Sequence, residues 1–306
     1  MITKLSIIGA GGVGSTLAFH VLSRVPVKEL VLIDILSNVA KGIVLDLEDT
    51  RSLLPFCAQV IGTDDFSHLR DSDIVVITAG IARKEGMTRL DLLKINAKVT
   101  REVSLQIKQF AKNAIVIVVT NPLDLITYVV TKQTSFPRER VIGMGSSLDT
   151  ARLLNLFSKC STVGVSSLEG FVFGQHNNDM IVSMDRLRIK GEAISSFLNA
   201  QEISTLQEKT AHRGGEIVEL LKNRSATFAP SLACCRLIEA IAEDKNEIIP
   251  VSVMLNGEYG LKDVCVGVPC LINRKGVEKV IELSLSPEEK KKLAKVNEAF
   301  QDVYNV

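Results

Sequence analysis

Hydrophobic and polar positions along the first half of the chain follow two alternating rhythms. Short, β-branched apolar runs fall at 5–9, 30–34, 58–62, 74–78, 115–119 and 141–143. Longer amphipathic stretches near 13–24, 38–50, 90–111 and 122–134 lie between most of them. Near-continuous apolar runs suit strands buried on both faces, and their alternation with helices predicts a parallel sheet covered on both sides. The expected fold class is therefore α/β with a doubly wound parallel sheet, and such sheets bind ligands beyond the carboxyl ends of their strands.

After residue 143 the pattern changes. The stretch FVFGQHNNDMIVSMDRLRIKG (171–191) reads as strands or hairpins, and the remainder as mostly helical. A last helix is signalled by Ser286 at its N-cap, Pro287 at the first helical position and Glu289 at the third. Leu293, Val296, Phe300 and Val303 supply its apolar stripe. The reading is thus two domains, 1–143 and a mixed α+β unit over 144–306.

Composition narrows the setting more than the function. A formal net charge of +1 over 306 residues gives no global field for nucleic acid or an anionic membrane. The run Lys290 to Lys292 reads as a solvated helix face. No stretch approaches the roughly 18 unbroken apolar residues of a membrane span, and the first residues carry no signal-type segment. The six cysteines (57, 160, 234, 235, 265, 270) lack CxxC spacing and mostly occupy apolar runs, as expected of reduced core residues in a cytoplasmic protein. No zinc-type spacing is present, so no metal is expected.

Gly9, Ala10, Gly11, Gly12, Val13 and Gly14 match G-x-G-x-x-G directly after a strand and at the opening of a helix, the context that gives this motif meaning. Gly9 allows the tight turn, Gly11 lets backbone amides approach a pyrophosphate, and Gly14 lets the helix pack on the strand. Asp34 ends the second strand, where a carboxylate can accept hydrogen bonds from both ribose hydroxyls and repel a 2′-phosphate. This is a Rossmann dinucleotide domain, with NAD favoured over NADP.

Three polar segments carry candidate chemistry. Asn121-Pro122 follows the strand IVIVVT. It is either a cis turn aiming the Asn121 amide into the crevice, or a helix start with Asn as N-cap. Asp149 and Arg152 are three apart on one side of a helical turn, a spacing that by itself fits a surface ion pair equally well. Of the four histidines, only His176 sits among turn formers at the end of a buried run, GFVFG.

Taken together, GAGGVG, AGIARKEGMTR (79–89), TNPLD (120–124), LDTAR (148–152), GQH (174–176) and YGLKDVCVGVP (259–269) resemble the lactate/malate dehydrogenase family over essentially the full chain. The ARK-x-GMTR segment is similar to the malate branch, in particular the bacterial enzymes built on the lactate dehydrogenase plan. The resemblance implies interconversion of (S)-malate and oxaloacetate with NAD, a place in the tricarboxylic acid cycle, and a homotetramer in preference to a dimer. It makes His176 the group exchanging a proton with the substrate hydroxyl, Asp149 its orienting carboxylate and Arg152 the grip on the C1 carboxylate. Arg89 becomes the lid arginine that polarises the ketone, and Asn121 a contact to substrate and cofactor. Asn96 and Val119 join Gly9, Gly11, Gly12, Val13, Gly14 and Asp34 as cofactor contacts. Arg83 is expected to meet the substrate's far end, and Lys84 is given no role. Gly80 and Gly86 are expected to let this lid move.

The residues depart from the family pattern in two places: Asn177 follows the histidine where Gly is common, and Glu85 stands in the lid where many malate enzymes have Pro. Two other readings stay open, a dehydrogenase of lactate or another 2-hydroxy acid and a non-catalytic NAD-binding protein. The residue at 83 discriminates the first; retention of His176, Arg89 and Arg152 weighs against the second.

Overall fold

A computed structural model describes residues 2–82, 87–222 and 225–304. The chain opens with β1 (Lys4–Ile8), α1 (Gly12–Arg24), β2 (Glu29–Ile33), α2 (Ser37–Asp49), β3 (Gln59–Thr63), β4 (Ile74–Ile77), α3 (Arg89–Phe110), β5 (Ile115–Val118), α4 (Leu123–Thr134) and β6 (Val141–Gly143). Every one of these strands and helices was legible from periodicity to within one residue at either end. The six strands run parallel in the order β3-β2-β1-β4-β5-β6, with the order reversing between β1 and β4. β1, β2, β4 and β5 are apolar and buried almost throughout, as strands with helices on both faces must be.

Beyond β6 come α5 (Gly145–Ser161), β7 (Leu168–Glu169), β8 (Val172–Phe173), β9 (Ile181–Val182), β10 (Arg188–Ile189), β11 (Glu192–Ala193), α6 (Ala200–Leu221) and α7 (Phe228–Ala242). The chain then forms β12 (Glu247–Asn256), β13 (Lys262–Asn273), β14 (Gly276–Val280), α8 (Pro287–Ala294) and α9 (Val296–Tyr304). The short strands β8 to β10 agree with the hairpin reading of 171–191, and β11 follows just beyond it. The expectation of a mostly helical remainder is corrected: β12 and β13 are the longest strands and pair antiparallel. Pro250 faces Pro269 inside that ladder, and a proline within an apolar run argues locally against a strand.

β12 also pairs with β6, Ser252 opposite Gly143, so among the described residues nine strands form one sheet that does not end at residue 143. Gly143 permits this close approach, because a Cβ there would lie 2.5 Å from Oγ1 of Thr127 and 2.8 Å from Cβ of Ser252. The single last helix expected from Ser286 onward is two segments, α8 and α9, parted at Lys295. Its capping box is formed, and Leu293, Val296 and Phe300 are buried. Lys290 to Lys292 are exposed, four of the six cysteines are buried, and Cys57 and Cys160 are exposed. Among the described residues no helix is long and apolar enough to cross a membrane.

Candidate active site

The carboxyl ends of the parallel strands gather the polar residues. After β1 the chain turns at Gly9, whose φ of +109° is one that a side chain resists. At Gly14 a Cβ would stand 1.9 Å from the Gly9 carbonyl oxygen, so only glycine lets α1 start so close to the strand. Gly11 and Gly12 are exposed, Val13 is half-buried against the core, and the first amides of α1 have no partner within the helix. Asp34, just past β2, braces this loop: Oδ2 accepts from the Ala10 amide at 2.7 Å and Oδ1 from the Leu36 amide at 2.9 Å.

After β4, Gly80 packs against Asn96 of α3 and Thr120, with no room for a Cβ. Asn96 is fully buried. Its Nδ2 donates to the carbonyls of Ile81 (3.1 Å) and Asn121 (2.7 Å), and its Oδ1 accepts from the Ile81 amide (2.9 Å). It therefore ties the loop after β4 to the loop after β5. Val119 is buried in the core at the end of that strand. Asn121 is exposed, its bond to Pro122 is cis, and the N-cap of α4 is Pro122, so the reading of Asn121 as N-cap is corrected. Arg89 is the first residue of α3 and exposed, behind a capping box of Thr88 and Asp91. Arg83 and Gly86 lie outside the described residues.

α5 begins directly after β6 and carries Asp149 and Arg152. Their pair is not a surface one, since the Asp149 side chain is 1% exposed and that of Arg152 12%. Asp149 divides its two oxygens: Oδ2 lies 2.6 Å from Nδ1 of His176, and Oδ1 accepts from Nη1 of Arg152 at 3.2 Å. His176 reaches this point because Gly174, at φ +86°, exchanges two backbone hydrogen bonds with Gly267 of β13. Asn177 has an ordinary negative φ, and its Oδ1 caps the Asp179 amide. Nε of Arg152 is buried without a hydrogen-bond partner.

Electrostatics favour a charged imidazole. Burial opposes the protonated form of His176, but the Asp149 carboxylate, by charge and hydrogen bond, and the charge of Asp124 outweigh it, with Arg152 pushing back. The result is a pKa above the ordinary 6.5.

Residues 3–143 match the family model described as lactate/malate dehydrogenase, NAD binding domain, and residues 146–305 match the lactate/malate dehydrogenase, alpha/beta C-terminal domain. The chain belongs to the lactate/malate dehydrogenase family. It is 41% identical over 305 residues to the malate dehydrogenase of Geobacillus sp. (strain WCH70), covering 99% of this chain and 97% of that one. The crystal structure of Cryptosporidium parvum malate dehydrogenase superposes with a TM-score of 0.96 at 35% identity, covering 100% of this chain and 98% of that one. The lactate dehydrogenase of Cryptosporidium parvum, solved with lactic acid and nicotinamide adenine dinucleotide, superposes with a TM-score of 0.95 at 30% identity, with the same coverage.

NAD is the cofactor of this family's first domain. The residues fit it: a loop in which glycine is obligatory, a helix N-terminus with free amides and a carboxylate at the end of β2. Among the described residues no group of three or more His, Cys, Asp or Glu could hold a metal ion.

Local pattern did not single out several residues packed on the site. Gly145 is one, because a Cβ there would lie 2.7 Å from Cγ of His176. Gly214 of α6 is another, 3.3 Å from Nη1 of Arg152 when given a Cβ. Asp124 accepts from the His176 amide at 2.8 Å; its only signal was its place in TNPLD.

Proposed function

We propose that this chain of the lactate/malate dehydrogenase family is an NAD-dependent malate dehydrogenase, interconverting (S)-malate and oxaloacetate. Residues 1–143 hold the cofactor and 144–306 the substrate, on one shared sheet. The observation that carries the reading is Asp149, which binds the proton-exchanging imidazole with one oxygen and the carboxylate-binding guanidinium with the other. Both groups are thereby fixed relative to one another, as a 2-hydroxy acid with its carboxylate beside the reacting carbon requires.

NAD, when bound, supplies the hydride acceptor for malate oxidation and, reduced, the donor for the reverse. With Nδ1–H donating to Asp149, the neutral imidazole presents the Nε2 lone pair to the substrate hydroxyl. As the C2–H bond breaks, the hydroxyl proton passes to Nε2, and Asp149 stabilises the resulting imidazolium. Arg152, with a buried Nε still unpartnered, grips the C1 carboxylate in a two-pronged bond that lysine cannot reproduce. Arg89, brought over the site by the lid, polarises the ketone oxygen and excludes water. Gly9, Gly11, Gly12, Val13 and Gly14 receive the pyrophosphate and Asp34 the ribose, with Asn121 and the backbone near Val119 beside them. Asn96, expected as a cofactor contact, is buried with both amide atoms bonded to the backbone of the loops after β4 and β5, and serves from behind by holding those loops.

The name malate dehydrogenase on relatives at 41% identity supports malate over lactate. The likeness to a lactate dehydrogenase keeps the second reading in play, because the two substrates differ only at the end Arg83 is expected to meet. NADH consumption with oxaloacetate, run beside pyruvate, tests both: comparable efficiency would overturn the malate reading, and none with either would leave a non-catalytic NAD-binding protein. A cytoplasmic homotetramer in the tricarboxylic acid cycle is part of the proposal. Exposed apolar side chains on α1 (Phe19), α2 (Val39, Leu45) and α7 (Phe228, Leu232) support assembly.

A further inference from the structure

On the backbone N–H of His176 stands a second carboxylate with no part in the scheme above. Asp124 is the second residue of α4, 3% exposed, and its Oδ2 accepts the backbone N–H of His176 at 2.8 Å. Its Oδ1 is buried with no hydrogen-bond partner. The Ser252 hydroxyl on β12 is buried and unpartnered as well; it stands close enough to favour the carboxylate, though outside hydrogen-bond geometry. Holding the turn requires only an acceptor, which an uncharged amide oxygen would provide. A buried carboxylate with an idle oxygen is the costlier choice, and what it adds is charge.

We propose that Asp124 is a second carboxylate of the proton-transfer site, a positioning residue that anchors His176 by its backbone and favours the imidazolium through space. The charged groups around it are consistent with that role. His176 is faced by Asp149 and Arg152 from α5 and by Asp124 from α4. Asp124 is faced by Arg89 from α3 and Ser252 from β12, and on β13 the Cys265 thiol feels its charge. Burial raises the pKa of Asp124, while the amide and charge of His176, then Ser252 and Arg89, act against it. A proton on His176 thus favours the anion of Asp124. The shared geometry links the cofactor half, where α4 follows the loop that carries Asn121, to the substrate half, where the histidine turn sits.

This inference rests on His176 being the proton-exchanging group, and the experiment separates the two. In Asp124→Asn the amide oxygen keeps the His176 N–H, and Nδ2 can donate to Ser252. The pH profile of kcat/KM for oxaloacetate should shift its inflection to lower pH by about one unit, with NADH affinity retained. Ser252→Ala, which removes a group stabilising the anion, should shift it the same way by less, and carries the test if the Asn variant does not fold. An inflection unmoved in a folded variant overturns the role of Asp124. Substantial turnover in His176→Asn overturns instead the assignment beneath it.

Discussion

Nδ1 of His176 lies 2.6 Å from Oδ2 of Asp149, a carboxylate 1% exposed. That contact, together with the charge of Asp124, outweighs burial and raises the imidazole pKa above 6.5. The sign follows directly. On the proposed role of His176, oxaloacetate reduction uses the protonated ring, so its kcat/KM should fall as pH rises through the raised pKa. Malate oxidation needs the neutral ring and should rise there. The pairing also stabilises the fold below pH 6.5, and that contribution fades as pH rises through the raised value. Paired pH profiles check this; inflections at or below 6.5 would contradict it. His176→Asn should lower kcat by about 10²–10⁴-fold while NADH still binds, as followed by its fluorescence.

Arg152→Lys keeps a positive charge and loses the planar fork. Nη1 already serves Asp149 while Nε has no partner, and an ammonium has no planar pair of donors to offer a bound carboxylate beside that bond. kcat/KM for oxaloacetate should drop by about tenfold to a hundredfold, with NADH affinity unchanged. A lysine variant of undiminished efficiency would remove Arg152 from substrate binding.

Asp34→Ser tests cofactor choice and loop bracing at once. The unmodified protein should use NADH far better than NADPH, because the carboxylate repels a 2′-phosphate. The serine variant should narrow that preference. It should also bind NADH less tightly, since the Ala10 and Leu36 amides lose their acceptor. Equal efficiency with both cofactors before mutation would refute the assignment of Asp34.

Gly145→Ala places a methyl 2.7 Å from Cγ of His176. The ring must move, and a displacement of about 1 Å at a reacting group costs on the order of a hundredfold in rate. NADH affinity should be unaffected, as the change lies at the start of α5. Full kcat in this variant would mean that the ring position is not critical.

What local pattern could reveal follows from range. The six parallel strands and their helices are written in adjacent residues, and so is the loop from Gly9 to Gly14. His176 was visible as a turn residue after a buried run, but nothing local brings Asp149, 27 positions earlier, to its ring; the family resemblance did that. Asp124 lies 52 positions before His176 and shows no periodic signal. β12 and β13 were hidden by Pro250 and Pro269, whose facing positions exist only in the ladder. Asn96 was expected as a cofactor contact from the resemblance alone; its three bonds to the backbone of two other loops carry no local signal.

Arg83 is expected to decide the substrate, on chemical grounds. It lies outside the described residues, within the motif AGIARKEGMTR between Gly80 and Arg89. Oxaloacetate carries a second carboxylate at the end away from the reacting carbon, where pyruvate carries a methyl. A guanidinium enclosed against that carboxylate makes charge-assisted hydrogen bonds. Enclosed against a methyl it has no partner, a penalty on the order of 3–5 kcal/mol. At about 1.4 kcal/mol per factor of ten, this is roughly a hundredfold to several-thousandfold in selectivity. The unmodified enzyme should therefore reduce oxaloacetate far faster than pyruvate at equal low concentration. Arg83→Gln should lose most oxaloacetate activity and gain in pyruvate reduction, since an amide tolerates the methyl without leaving a charge bare. An unchanged ratio of the two kcat/KM values after substitution would place the selectivity elsewhere in the lid.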